Sequence, residues 1–473
     1  MLGRIATNAA ALAIAGLVAQ LIFVSIEVAI ARQLGQEDYG AFATVYVFAV
    51  TIWVSIDLGT SWRLIESGSR DPSTIAELLG TTAALKVIGL LLLWPVVAGG
   101  LVLLEYDSRI IVLFLIFFVY AVAISLQDSI AAAYTARQRM VINAAFQAGT
   151  PIAIAILVAV ALMIGGDLYS VGFMYGLAGL GATTLWLVLV FRAERPRVRF
   201  ASSGEILRGS YLYGISGFLS QLFYKSDVML LSALAPIQQV GIYAAGYKLL
   251  DLAYKAPIIS AKVVSPALFV QHQADVEQYG RSVDAFVRIS TVAGIIPAIV
   301  CYLNAPLIIG LLFGPGFEEA ALVLQVLSVS FVLKFVGGAL QTVLTTRGQH
   351  RLRTAGLACS VGAGVAGHVL LIPTYGAVGA AFAVVGAETL LVLIYLVGIA
   401  DAALRRLLGR RLAVAVVAGA AALTLAAVVG LGRIGASAVG LAACVGVLLA
   451  FGYLTSADLM VLRASVTGRK AGG

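Results

Sequence analysis

Lys248, Asp251, Lys255 and Lys262 follow one another through residues 241–268, a stretch that is otherwise apolar. At about 100° per residue they fall within roughly 60° of one another on a helix, so one face carries a cationic stripe with a carboxylate in it. Asp251 stands three residues after Lys248 and four before Lys255, within reach of either. Tyr243, Tyr247 and Tyr254 form an adjoining stripe of phenols. Counting about 1.5 Å per residue from position 241, Lys248 lies about 10 Å and Lys255 about 20 Å into the segment. An ammonium at that depth in hydrocarbon is costly, so such groups normally face a bundle interior or a water-filled cavity. A desolvated ammonium is also a strong point charge for phosphate. The stripe therefore suits an anion, with phenol rings and hydroxyls beside it.

Lysines at Lys86, Lys225 and Lys334 also interrupt apolar segments. Lys86 and Lys262 lie near segment ends, where a long side chain can snorkel to the headgroups. Lys225, Lys255 and Lys334 sit too centrally for that, and either line a lumen or form ion pairs inside the bundle. Lys225 and Asp227 are about 200° apart on a helix, so they cannot share a face. With Gly214, Phe218 and Gln221 on its side, Lys225 is assigned to the cavity. The acidic residues within segments are Glu27, Asp57, Asp128, Asp227, Asp251 and Glu388. Asp57, Asp227, Asp251 and Glu388 are read as ion-coupling or pairing groups, since burial raises a carboxyl pKa.

The segments that must position these groups come from composition. With 61% hydrophobic and 11% charged residues, the 473-residue chain reads as an all-α polytopic membrane protein. Fourteen stretches reach the roughly 20 apolar residues a spanning helix needs. They run near 9–31, 41–65, 78–104, 110–134, 141–164, 168–191, 210–235, 241–268, 286–312, 320–345, 352–372, 376–400, 411–431 and 435–458. Continuous apolar runs of this length exclude a transmembrane β-barrel. Arg4 before the first run suggests a signal peptide, but Glu27 and Arg32 follow without a small-residue cleavage pattern. Basic residues retained in the cytosol orient the spans. Every Arg except Arg32, Arg109 and Arg433, and Lys470 with them, falls at the termini or in the loops after even-numbered spans. Both ends are accordingly expected in the cytosol. The net charge of +8 reflects this placement and implies no nucleic-acid partner.

The chain also repeats. Gln20-Leu21, Ser25, Gly40 and Ala43 recur 201 residues on as Gln221-Leu222, Ser226, Gly241 and Ala244. Thr135 and Gln138 pair with Thr346 and Gln349, and Val171-Gly172 with Val378-Gly379. A repeat of six spans preserves orientation, so its halves are related by an axis along the membrane normal. The expected organisation is an N-lobe over 1–191, a basic linker at 192–209, a C-lobe over 210–400, and spans 13 and 14 with a tail over 401–473. The linker, with Arg192, Arg195, Arg197, Arg199 and Arg208, is a topology determinant and a surface for anionic headgroups.

Loops on the outer side are barely turns, which argues against a membrane glycosyltransferase or ligase. No GxSxG, P-loop or HExxH pattern occurs, so neither an enzyme nor a cofactor is implied. Cys301, Cys359 and Cys444 lie in separate spans and read as small buried apolar residues. Pro95, Pro151, Pro257, Pro266, Pro297 and Pro306 mark close packing or bends.

Several motifs carry a family resemblance. Leu34-Gly35-Gln36-Glu37-Asp38-Tyr39-Gly40 resembles the LGxxDYG element of polysaccharide-biosynthesis flippases. These are the O-antigen-translocase-like branch of the multidrug/oligosaccharidyl-lipid/polysaccharide (MOP) exporter superfamily. Asp57-Leu58-Gly59 with Arg63 is similar to that family's D-x-G, and Asp227 followed by Gly241-Ile242-Tyr243-Ala244-Ala245 to its second-half pattern. Residues 371–381, LIPTYGAVGAA, resemble its LIPxYGxxGAA turn, with His368 where members often carry Asn. The resemblance covers roughly residues 1–400. It implies two six-helix lobes around a central cavity open to one side at a time, with spans 13 and 14 shaping a groove for a lipid tail. The cargo it implies is a polyprenyl-(di)phosphate-linked sugar or oligosaccharide, moved from the cytosolic to the outer leaflet of a prokaryotic plasma membrane for surface-glycan assembly. Lys225, Lys248, Lys255 and Lys334 are expected to attract the phosphate region, and Tyr243, Tyr247 and Tyr254 the sugars. Glycan-assembly proteins and membrane lipids are the expected partners. The rivals are a multidrug/cation exporter or a lipid II-type flippase of the same superfamily, and a scaffold for glycan assembly.

Overall fold

The computed structural model describes residues 2–193, 195–253, 255–428, 433–450 and 452–453. Tyr254, Arg463, Arg469 and Lys470 lie outside the described residues. Among the described residues there is helix and turn but no strand, and nine helical segments are long and apolar enough to cross a bilayer. Side chains such as Leu92, Leu103, Met163 and Val416 are more than two-thirds exposed, as hydrocarbon-facing residues must be. The chain is a polytopic all-α membrane protein.

In order the helices are α1 (Leu2–Asp57), α2 (Thr60–Arg70), α3 (Ile75–Leu103), α4 (Ser108–Ala136), α5 (Met140–Met163), α6 (Leu168–Ala193) and α7 (Ser203–Leu234). There follow α8 (Ile237–Ala253), α9 (Lys255–Ala274), α10 (Val276–Phe313), α11 (Ala320–Thr346), α12 (His350–Val397), α13 (Ala402–Val428) and α14 (Arg433–Ala450). The fourteen apolar segments map onto these elements because α1 and α12 each hold two, α8 and α9 share one, and α2 holds only the end of the second. Helix α1 breaks at Gly35, with φ 81°, and α12 at Gly376, with φ 52°. At the second break the freed Ala377 N–H donates to Gln239 Oε1 at 2.9 Å. Turns at the helix starts are held by carboxylates: Asp167 accepts the Ser170 N–H at 2.9 Å. That backbone bond, with the Ser170 hydroxyl, holds the Asp167 carboxyl below its ordinary range.

The chain forms two compact units. The first comprises Met1–Ala245, Leu312–Phe317 and His368–Ala377. One of its cores gathers Leu64, Ile75, Leu79, Ile130, Tyr134, Phe146 and Trp186 from α2 to α6. Within this unit the repeat-related glycines meet each other. A Cβ placed on Gly40 would stand 3.0 Å from the Gly241 nitrogen and nearer still to the Ile237 carbonyl oxygen. One placed on Gly241 would stand 3.2 Å from the Gly40 nitrogen and press on the Gln36 carbonyl oxygen. Gln36 and Ile237 are themselves 201 residues apart. The contact is therefore isologous, as at a two-fold axis.

The second unit comprises Gly246–Leu311, Glu318–Gly367 and Val378–Gly473. Its cores join α9–α12 through Leu268, Val287, Leu340 and Tyr395, and α10 with α13 and α14 through Ile295, Ala418 and Leu448. Arg411 of α13 makes a two-bond fork to Asp284 of α10 at 3.0 and 3.2 Å. Arg288 reaches the same carboxylate at 3.0 Å and donates to the Tyr453 carbonyl at 2.8 Å. Helix α13 is thus fastened to α10 by charge as well as by packing. Cys301 and Cys444 are buried, but Cys359 is exposed, which corrects the expectation for that residue.

Candidate functional site: buried charges along the spans

In the first unit Lys86 is fully buried, which corrects the snorkelling expectation. Its Nζ lies 2.8 Å from Asp57 Oδ1 and 2.7 Å from Asp128 Oδ2, and donates to Ser61 Oγ at 2.8 Å. Ser61 Oγ in turn lies 2.7 Å from Asp57 Oδ1 and 2.5 Å from Asp128 Oδ2, and its single hydrogen serves one of the two carboxylates at a time. Two carboxylates, one ammonium and a hydroxyl thus close a network across α1–α4. The D-x-G element explains how. The chain turns out of α1 at Leu58 and Gly59, with φ 46° and 76°, leaving the first N–H groups of α2 without helical acceptors. Asp57 accepts from Gly59 N at 3.1 Å and Ser61 N at 3.2 Å, as an N-cap does. Glycine is required at 59 for a second reason. A Cβ there would lie 2.6 Å from the Tyr213 Cβ and 2.7 Å from the Gly214 nitrogen of α7.

Asp227 of α7 is also buried, and the Tyr243 hydroxyl donates to its Oδ2 at 2.6 Å. Tyr243 is fully buried, so its ring faces are inside the protein rather than offered to a sugar. Its described role is to hold Asp227. Lys225, two residues earlier and on the other side of α7, is half-buried. Nearby, Gln221 donates to Thr51 Oγ1 at 3.4 Å. A second carboxylate–phenol pair stands in α1, where the Tyr39 hydroxyl donates to Glu27 at 3.1 Å with both groups buried.

In the second unit the lysine stripe divides by exposure. Lys248 is buried at 8%, Tyr247 and Asp251 are half-buried, and Lys255 and Lys262 are exposed. Lys334 of α11, read as a cargo lysine or a member of an ion pair, and Glu388 of α12, read as a coupling or pairing carboxylate, form one ion pair at 2.5 Å with both side chains under 8% exposed. Breaking a buried pair strands the survivor. Glu388→Gln alone is expected to lower stability by about 3 kcal/mol, whereas Lys334→Glu with Glu388→Lys restores most of it. Thermal unfolding of the two purified variants beside the parent reads the difference. Among the described residues, no group of three or more His, Cys, Asp or Glu is placed to hold a metal ion.

The structure therefore brings together Asp57 with Lys86 and Asp128, Asp227 with Tyr243, and Lys334 with Glu388. It leaves Lys255 on the surface of its unit. The Lys86 network had a signal in the sequence: Asp57, Lys86 and Asp128 all fall near the arginine-rich ends of spans two, three and four, at matching depth.

Comparison with known proteins follows the same lines. The family model described as polysaccharide biosynthesis protein matches residues 5–272. No curated protein sequence matches the chain. Among solved structures, the lipid II flippase MurJ in an inward closed conformation aligns with a TM-score of 0.73 at 12% identity, covering 93% of this chain and 98% of MurJ. An inward-facing multidrug resistance MATE family transporter of the MOP superfamily aligns at 0.66 and 15% identity, over 82% and 96%. A MOP superfamily transporter from Pyrococcus furiosus, described as having a binding pocket of reverse polarity, aligns at 0.58 and 14%, over 82% and 93%. These likenesses establish the fold, and the family match establishes the lineage. The chain belongs to the polysaccharide biosynthesis protein family, and its fold is like that of the flippase and transporter structures just described.

Proposed function

We propose that the protein is a flippase that carries a polyprenyl-(di)phosphate-linked sugar or oligosaccharide from the cytosolic to the outer leaflet of a prokaryotic plasma membrane. It does so by alternating access and without an enzymatic step. Two six-span lobes, 1–191 and 210–400, rock against each other, joined by the 192–209 linker, with 401–473 as an appendix and both ends cytosolic. Lys225, Lys248 and Lys255 attract the phosphate region, and Tyr247 serves the sugars.

The observation that carries this reading is Lys255. It stands at the start of α9, midway along the α8–α9 segment, yet its side chain is exposed. An ammonium exposed at mid-span meets either hydrocarbon or an aqueous lumen, and the cost in hydrocarbon favours the lumen. The cationic character of the stripe supports an anionic cargo over a cationic drug. Lys334 contributes to the field of the site through its pair with Glu388. Glu388 is the candidate for ion coupling, because its Oε2 has no hydrogen-bond partner among the described residues.

Lys225→Ala with Lys255→Ala is the direct test, read as translocation of a labelled polyprenyl-diphosphate sugar in vesicles. A loss of about tenfold or more is expected when two charge contacts of about 1 kcal/mol each are removed. Undiminished flipping at equal protein level would remove the cargo assignment. Drug resistance lost in place of flipping would favour the exporter reading.

A further inference from the structure

The linker after α6 lies along the start of α3 as an irregular segment over residues 195–199. The Arg197 N–H donates to the Ala76 carbonyl at 2.9 Å, and the Arg199 N–H to Thr81 Oγ1 at 3.0 Å. Gly80 permits the approach, since a Cβ there would stand 2.6 Å from the Arg197 carbonyl carbon and 2.8 Å from its nitrogen. Held this way, the alternate residues Pro196, Val198 and Phe200 border a depression of about 490 Å³ whose other walls are α3, α4 and α6. That volume is in the range of small-ligand sites. Every residue lining it is apolar or glycine, Ala83, Ala84 and Leu126 among them. A second, more open depression contains Arg195 and Thr184 and shares Leu187 and Phe191 with the first. An apolar slot thus runs into a cationic one on a single unit. The shape and the charge match an amphiphile with one negative head.

We propose that this double depression binds one anionic glycerophospholipid of the surrounding bilayer, with an acyl chain in the apolar slot and the phosphate on Arg195. The slot carries no polar side chain able to recognise a sugar, so its occupant is selected by chain and charge alone. This separates it from the glycan site. A bound chain braces the linker against α3, α4 and α6, because Val198 and Phe200, otherwise 53% and 58% exposed, gain an apolar neighbour. The proposal does not use the flippase reading and stands or falls separately from it.

The test is native mass spectrometry of the purified full chain with phosphatidylglycerol and phosphatidylcholine of identical acyl chains. Preferential retention of phosphatidylglycerol is expected. Arg195→Gln weakens it about fivefold, the worth of one arginine near an anionic surface, while Arg195→Lys keeps most of it. Ala84→Leu, which fills the slot, weakens both lipids; the exposed Arg195 variants keep the test informative if that variant folds poorly. Equal retention of the two lipids by the native chain, or no effect of Arg195→Gln, overturns the proposal. Displacement of phosphatidylglycerol by equimolar polyprenyl phosphate also overturns it, by assigning the slot to the cargo.

Discussion

Lys86→Ala is expected to cost the protein roughly 3–5 kcal/mol, among the largest effects of any single substitution in the chain. The reason is what remains. Asp57 and Asp128, both within 2.8 Å of the lost ammonium, are left facing each other with only the Ser61 hydroxyl between them. Two carboxylates in that position cannot both stay ionised cheaply. Asp57 also caps α2 through the Gly59 and Ser61 N–H groups, so a change in its charge loosens the turn at Leu58 and Gly59. Detergent-purified Lys86→Ala should therefore unfold at a temperature at least about 5 °C below the parent. The control is Lys86→Met with Asp57→Asn and Asp128→Asn. Removing all charges together avoids the stranded ion, and most of the lost stability should return. If the triple variant is as unstable as the single, the charge argument is wrong and Lys86 matters through packing alone. If it is stable but cannot flip its cargo, the network also serves transport.

The sequence and the structure agree where one physical constraint dominates. Apolar runs of spanning length have few alternatives to helix in a bilayer, so the spans are legible as helices, but their ends are not: α10 starts at Val276, ahead of the apolar run at 286. The opposed placement of Lys225 and Asp227 followed from helical period alone, and Asp227 is indeed the buried one. Periodicity says which residues share a face but not what faces them. Lys334 and Glu388 lie on different helices, and their union needed the packing of α11 on α12. Tyr243 shares a stripe with Tyr247, yet a carboxylate on the neighbouring helix takes its hydroxyl and buries its ring. For Lys86, distance from a segment end is not the measure of escape. A partner at equal depth on the next helix is a nearer solution than the headgroups. Depth-matching of opposite charges across adjacent spans would have found all three acidic and basic members of that network.

Gly40→Ala and Gly241→Ala are expected to be equally damaging and, combined, much less than additive. Each Cβ would press on a carbonyl oxygen across the crossing and lie near the other glycine's nitrogen. Neither obstacle is a flexible side chain, so the backbones themselves must separate. Overpacking of this kind costs about 1–3 kcal/mol, and the backbone contact puts each single at the upper end. Once either methyl has moved the helices apart, the second finds the space already made. The double variant should then cost little more than one single, a coupling of about 1–2 kcal/mol. Equality of the two singles is the stricter demand, because it follows only if the repeat relates the two surfaces by a two-fold operation. Thermal unfolding of the four proteins in one detergent gives both answers. Singles that differ widely, or a double that costs their sum, would mean that the symmetry written in the sequence is not the symmetry of the contact.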